Sequence, residues 1–71
     1  MAYNELENIV VVRKFRSGSV MGVGELHRGD HVEFFVTDAE HDSQPQHTHC
    51  GPYSTRAQAE QWIHDIREDR L

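Results

Sequence analysis

The sequence predicts an α+β fold, in which a three-stranded antiparallel β-meander packs on one C-terminal α-helix. Three observations carry it. β-Branched and aromatic residues gather in three runs between positions 9 and 37, separated by short glycine-containing turns. Toward the C-terminus the apolar spacing changes from every second position to every third or fourth. A chain of 71 residues, 37% of them hydrophobic, supports a single domain spanning 1–71 with one thin two-layer core.

The run "NIVVVRKFR" gives a first strand over residues 9–15, "SVMGVGELH" a second over 20–27, and "HVEFFVT" a third over 31–37. Ser17-Gly18 reads as a two-residue hairpin loop and Arg28-Gly29-Asp30 as a three-residue one. Those lengths set Phe15 opposite Val20, Val11 opposite Gly24 and Ile9 opposite Leu26. On the other side they set Leu26 opposite Val32, Gly24 opposite Phe34 and Gly22 opposite Val36. One face then collects Ile9, Val11, Phe15, Val20, Leu26, Val32, Phe34 and Val36 as the expected core.

A helix is expected over residues 55–69. Thr55 with Gln58 three residues on has the form of a capping box. Ala59, Trp62, Ile63 and Ile66 then fall in one arc at the spacing of a buried stripe. Gly22 and Gly24 are expected to let Trp62 approach the sheet, a β-bulge being the other reading of these glycines. Residues 38–52 form a long polar connection in which "QHTHC" could add a short fourth edge strand, giving ββ(β)βα order. There are no internal repeats and no linker-like segment.

The stretch "GPYSTRAQAEQWIHDIR", residues 51–67, resembles the start of the helix in two families. One is the sporulation-related (SPOR) peptidoglycan-binding repeat, where a Gly-Pro-aromatic turn precedes a Thr-capped, Ala-rich helix. The other is the YegP-like group of short β-β-β-α proteins, which is also similar in its order of elements. The chain departs from the first in having three strands before this segment, and from the second in lacking a tryptophan-rich second strand. Neither resemblance implies an activity, cofactor or site residue.

Twelve Asp and Glu against seven Lys and Arg give a net charge of −5. Residues 1–37 hold five acids and four bases, whereas residues 38–71 hold seven acids and three bases. Such a balance repels phosphate backbones, so a nucleic-acid partner, which would have to use Arg13, Lys14, Arg16 and Arg28, is not expected. The single cysteine excludes an internal disulfide. No apolar run has the length of a membrane span and no signal-peptide layout is visible, so a cytoplasmic protein without a membrane partner is expected.

Local chemistry concentrates in "HDSQPQHTHC", residues 41–50. His41, His47, His49 and Cys50 are the metal-ligand candidates, with Asp42 as a further donor. Structural zinc sites use two spaced ligand pairs, whereas this stretch offers one crowded cluster, so a polar loop and no bound cofactor are expected. The register above brings Glu25, His27, His31 and Glu33 together on the outer sheet face, a second weak metal or pH-sensitive patch. His64, four residues from both Glu60 and Glu68, reads as a helix-surface ion pairing. Cys50 has no basic neighbour in sequence to favour its thiolate. Since no nucleophile is paired with a base, the chain is not expected to be an enzyme.

The expected outer face carries an apolar row of Val12, Val23 and Phe35, flanked by Val10 and Met21 and rimmed by Lys14, Glu25 and Glu33. One helix cannot cover both faces of a sheet, and an apolar outer row has the layout of a contact site. The sequence therefore points to a non-enzymatic protein-interaction module, as a homodimer or against another protein. Chain size and charge resemble the small acidic stoichiometric inhibitors of phages and mobile elements, including inhibitors of CRISPR systems. The acidic helix residues Glu60, Asp65, Glu68 and Asp69 would then be further contact candidates. A metal-responsive protein using the 41–50 loop is the alternative.

Overall fold

Four strands and one helix follow one another along the chain in the computed structural model, which describes residues 6–39 and 48–67. The strands are β1 (Glu7–Lys14), β2 (Val20–Arg28), β3 (His31–Asp38) and β4 (Thr48–Tyr53), and the helix is α1 (Arg56–His64). All four strands form one antiparallel sheet in the order β1-β2-β3-β4. The α+β meander with a C-terminal helix is thus what the sequence predicts, and the optional fourth edge strand is present.

Both hairpin loops differ from expectation by one residue, in opposite senses. The first is a three-residue loop: Phe15 N–H donates to Ser19 O at 2.8 Å, Gly18 N–H to Phe15 O at 3.0 Å, and Gly18 has φ +98°. That is a turn closed by a left-handed glycine, for which Gly18 has no Cβ penalty. The second is the two-residue loop Gly29-Asp30, since Arg28 pairs with His31 and Gly29 alone has positive φ, +61°. A glycine in that first central position matches the twist of the flanking strands.

The two errors compound on β2 and turn it over. Val23 lies opposite Val36, Gly24 opposite Phe35, Glu25 opposite Phe34 and Gly22 opposite Thr37. Along β1, register shifts between Glu7 and Val10 and between Val11 and Arg13 place Val10 opposite Val23 and Arg13 opposite Met21. Asn8, at φ +53°, sits in the first of these irregular stretches.

The core is therefore Phe15, Met21, Val23, Val36, Ala59 and Ile63, with Val12, Phe34, Cys50, Tyr53 and Ile66 packed around it. Phe15, Phe34 and Val36 belong to it as expected. Ile9, Val11, Val20 and Leu26 do not, whereas Met21 and Val23, expected outside, are at its centre. Each fully buried Val or Ile contributes about 1.5–3 kcal/mol.

Gly22 and Gly24 point away from the helix, so they make no room for Trp62. A Cβ on Gly22 would run into the Val10 carbonyl, and one on Gly24 would lie 3.0 Å from Leu6 Cβ and 3.1 Å from Ile9 Cγ1. The glycines admit the irregular backbone of β1, in line with the bulge reading.

Thr55 caps α1 as predicted. Its hydroxyl accepts from Gln58 N–H at 3.3 Å, and the Gln58 side chain accepts from the N–H groups of Thr55 and Ser54. The helix buries Ala59 and Ile63, while Trp62 remains 37% exposed. It ends at His64 with Asp65 as C-cap, short of the expected residue 69. Arg13 reaches across from β1 at this point, donating to the carbonyls of Ile63 (3.0 Å), His64 (3.3 Å) and Ile66 (2.9 Å). These carbonyls receive a cationic partner, favourable at the negative end of the helix dipole, in place of a further turn. The same guanidinium lies 4.4 Å from the centre of the Phe15 ring.

Candidate functional site

Because side chains alternate across a sheet, the flip of β2 rebuilds both faces at once. The face turned from the helix now holds Leu6 and Ile9 over Gly24, Val11 beside Gly22, Leu26 opposite Glu33, and Phe35 over Gly51. Val11 is 57% exposed, Leu6, Ile9, Leu26 and Phe35 are half-buried, and Thr37, opposite Gly22 on this face, is fully buried. The three glycines flatten this face. Among the described residues, Lys14, Arg28, His31 and Glu33 are charged or titratable members of this face, with Arg28 Nε donating to Glu33 Oε1 at 2.9 Å and Asp30 of the adjoining turn 3.0 Å from His31.

An apolar outer face is therefore present, but built from other residues than the sequence suggested. Of the expected row only Phe35 lies on it. Met21 and Val23 are buried under the helix and Val12 packs against that core. Val10 shares the helix-side face of β1 with them but is 50% exposed at the sheet edge. Glu60 is half-buried on α1, and Asp65 is the C-cap and accepts from Gln61 Nε2 at 2.8 Å. Glu68 and Asp69 lie outside the described residues. Leu6, Ile9, Val11 and Leu26 were missed as surface residues because their placement follows from the turn lengths.

The four-residue His/Glu patch is divided between the two faces. Glu25 and His27 lie on the helix side, 3.0 Å apart, and Arg56 Nη2 donates to the other Glu25 oxygen at 2.6 Å. Asn8 Nδ2 also donates to Glu25, at 3.1 Å. The hydrogen bonds from Asn8 and His27, together with Arg56, hold the Glu25 carboxyl below its ordinary value against a smaller opposing effect of burial. Arg56 also stacks 5.4 Å from the Phe34 ring. His31 and Glu33 lie on the outer face, 3.6 Å apart, and the hydrogen bond from Arg28 is the main cause that lowers the Glu33 carboxyl.

In the polar connection, His41, Asp42 and His47 fall outside the described residues. His49 Nε2 lies 2.6 Å from Asp38 Oδ1, a hydrogen bond between β4 and the end of β3. Cys50 Sγ is 3.2 Å from the Tyr53 hydroxyl, a contact that with burial raises the Tyr53 pKa above its usual 10.0. His49 and Cys50 thus have separate partners, and among the described residues no three His, Cys, Asp or Glu side chains converge on a metal position.

Where β3 runs on past its last pairing with β4, Phe34 opposite Tyr53, there is an open cleft of about 270 Å³ lined by His31, Val32, Glu33, Pro52, Tyr53 and Ser54. Of its titratable groups, His31 and Glu33 are engaged with each other, with Asp30 and with Arg28, and Tyr53 with Cys50. No helix among the described residues is long and apolar enough to cross a membrane. No protein-family model matches the chain, and no curated protein or solved structure is significantly similar to it.

Proposed function

We propose that this chain is a non-enzymatic protein–protein interaction module that binds through the outer face of its sheet. One observation carries the reading: α1 covers one face, while on the opposite face Val11 is exposed and Leu6, Ile9, Leu26 and Phe35 are partly exposed around the fully buried Thr37. A sheet face of this composition gains free energy when a second surface removes it from water. The narrower form of the proposal, a small stoichiometric inhibitor of the phage or mobile-element type, draws on the net charge of −5. It requires a one-to-one complex with the inhibited protein.

The test is capture of binding proteins from the native host on immobilised protein, comparing wild type with Val11→Glu and with Glu60→Lys. A carboxylate forced into an apolar interface costs about 2–7 kcal/mol or more. Val11→Glu should therefore release the bound protein, while Glu60→Lys, on the helix, should retain it. Release by Glu60→Lys alone would move the contact surface to the helix and refute the proposal.

A further inference from the structure

We infer that the cleft beside Val32 takes a short extended peptide segment of a partner protein, one that carries basic residues and adds to the sheet along the free edge of β3. The site is separate from the outer-face contact proposed above and does not depend on it. Three features carry the inference.

The first is the backbone. The β2–β3 hairpin closes on Arg28 opposite His31 across a two-residue loop, so those two residues bond to each other. Alternation along the antiparallel ladder then turns the N–H and C=O of Val32, Phe34 and Val36 away from β2, toward the side of β4. There Phe34 meets Tyr53 and Val36 meets Cys50. Continuing that register would bring Thr55 opposite Val32, but Thr55 caps α1 instead. Among the described residues no strand pairs with Val32 on that side. An unpaired strand edge of this kind is where an extended peptide adds to a sheet.

The second is the cavity. The cleft of about 270 Å³ lies where β4 turns off, with Val32, Pro52 and Tyr53 among its walls. It is open to solvent and smaller than the about 300–1,000 Å³ of small-molecule pockets, which suits a few residues of extended chain. The free edge runs from His31 to Glu33, about 10 Å at about 3.3 Å per residue, so the added strand is short and its binding weak.

The third is charge. With histidine neutral at pH 7, two carboxylates, Asp30 and Glu33, stand at this corner against one guanidinium, Arg28. Arg28 is bonded to Glu33 at 2.9 Å, whereas the Asp30 side chain is 95% exposed and meets His31 at 3.0 Å but no Lys or Arg among the described residues. A lysine or arginine on the peptide supplies that partner, and the net charge of −5 draws it in. An anion is the wrong occupant, because the N–H groups of Ser54, Thr55 and Gln58 at this end of α1 are taken by the capping box.

The probe is a capped heptapeptide of alternating lysine and valine, titrated to about 2 mM into the isotope-labelled full chain while its amide signals are followed. In the free protein the Val32 amide should exchange with solvent faster than that of Phe34. On titration the signals of His31, Val32 and Glu33 should shift saturably and exchange at Val32 should slow. The same peptide fully N-methylated has no main-chain donors and should cause no saturable shift. Glutamate in place of lysine should weaken binding at least about threefold, and Asp30→Lys should weaken binding of the lysine peptide as much. Asp30 lies in an exposed turn, so its variant should keep the fold, which circular dichroism verifies. Val11→Glu, on the outer face, should bind the peptide as wild type. The inference is overturned by the absence of a saturable shift, by shifts centred on Val11 instead of Val32, or by loss of binding in Val11→Glu. Binding that survives N-methylation, or that neither the glutamate peptide nor Asp30→Lys weakens, overturns it equally.

Discussion

Replacing Ile63 by Ala should destabilise the protein far more than replacing its neighbour Trp62, although Trp62 is much the larger side chain. Ile63 has no solvent exposure and sits in the cluster with Val23, Val36 and Ala59. The substitution removes three carbon groups, a transfer loss of about 2.4 kcal/mol at about 0.8 kcal/mol each. The cavity left behind raises the total to about 3–4 kcal/mol. Trp62 is 37% exposed, so its truncation should cost about 1–2 kcal/mol rather than the 3–5 kcal/mol of a fully buried aromatic. A single thin core supplies about 3–5 kcal/mol in all, which leaves Ile63→Ala largely unfolded and Trp62→Ala folded. Urea titration followed by far-ultraviolet dichroism reads the difference. With a slope of about 1 kcal/mol per molar, Ile63→Ala should lower the midpoint by about 3 M and Trp62→Ala by about 1 M. Successive helix residues are about 100° apart, so the reverse ranking would mean that the helix is rotated by that angle against the sheet.

Gly22→Ala should cost about 1–3 kcal/mol, because its Cβ meets the Val10 carbonyl, a backbone atom that cannot turn aside, and thermal melting should show it. Acid unfolding should depend on Glu25. Its folded pKa lies below the ordinary value of 4.5, so its contribution is present above pH 4.5 and is lost as pH falls through the depressed folded value. In a pH series of urea midpoints Glu25→Gln should flatten that part of the acid limb, and an unchanged limb would mean that the Asn8, His27 and Arg56 contacts do not hold in solution.

The order of elements, the helix cap and the inward side of β3 were legible in the sequence, and the inward side of β2 was not. For β3 the pattern decides: Val32, Phe34 and Val36 alternate with Glu33 and Thr37, and only Phe35 is ambiguous. On β2 both faces are apolar, Val20 and Leu26 on one side and Met21 and Val23 on the other, so hydrophobicity cannot choose between them. The choice fell to turn lengths. Around Arg16-Ser17-Gly18 and Arg28-Gly29-Asp30, a glycine beside small or polar residues permits either a two- or a three-residue loop. The burial of Trp62 was misjudged for a different reason. Arg56 belongs to the inward stripe with Ala59, Ile63 and Ile66, because Glu25 waits for it beneath. A charged residue is not counted when a stripe is read from apolar positions, and leaving it out moved the centre of the arc to Trp62. The expected outer row shared the fate of β2: Met21 and Val23 went under the helix with that strand, and of the row only Phe35 kept its side.

The bond from Arg13 to the end of α1 has a consequence for the order in which the chain assembles. Every strand pairing joins neighbours along the chain, so the hairpins close short loops. Arg13, by contrast, ties positions 50 to 53 residues away, and closing a loop of that length carries the larger entropic cost. The meander should therefore form first and the guanidinium should engage afterwards, on the native side of the rate-limiting barrier. Arg13 then acts as a latch on escape rather than a guide to entry. Removing it should leave the refolding rate nearly as it was and quicken unfolding by almost the whole of the lost stability.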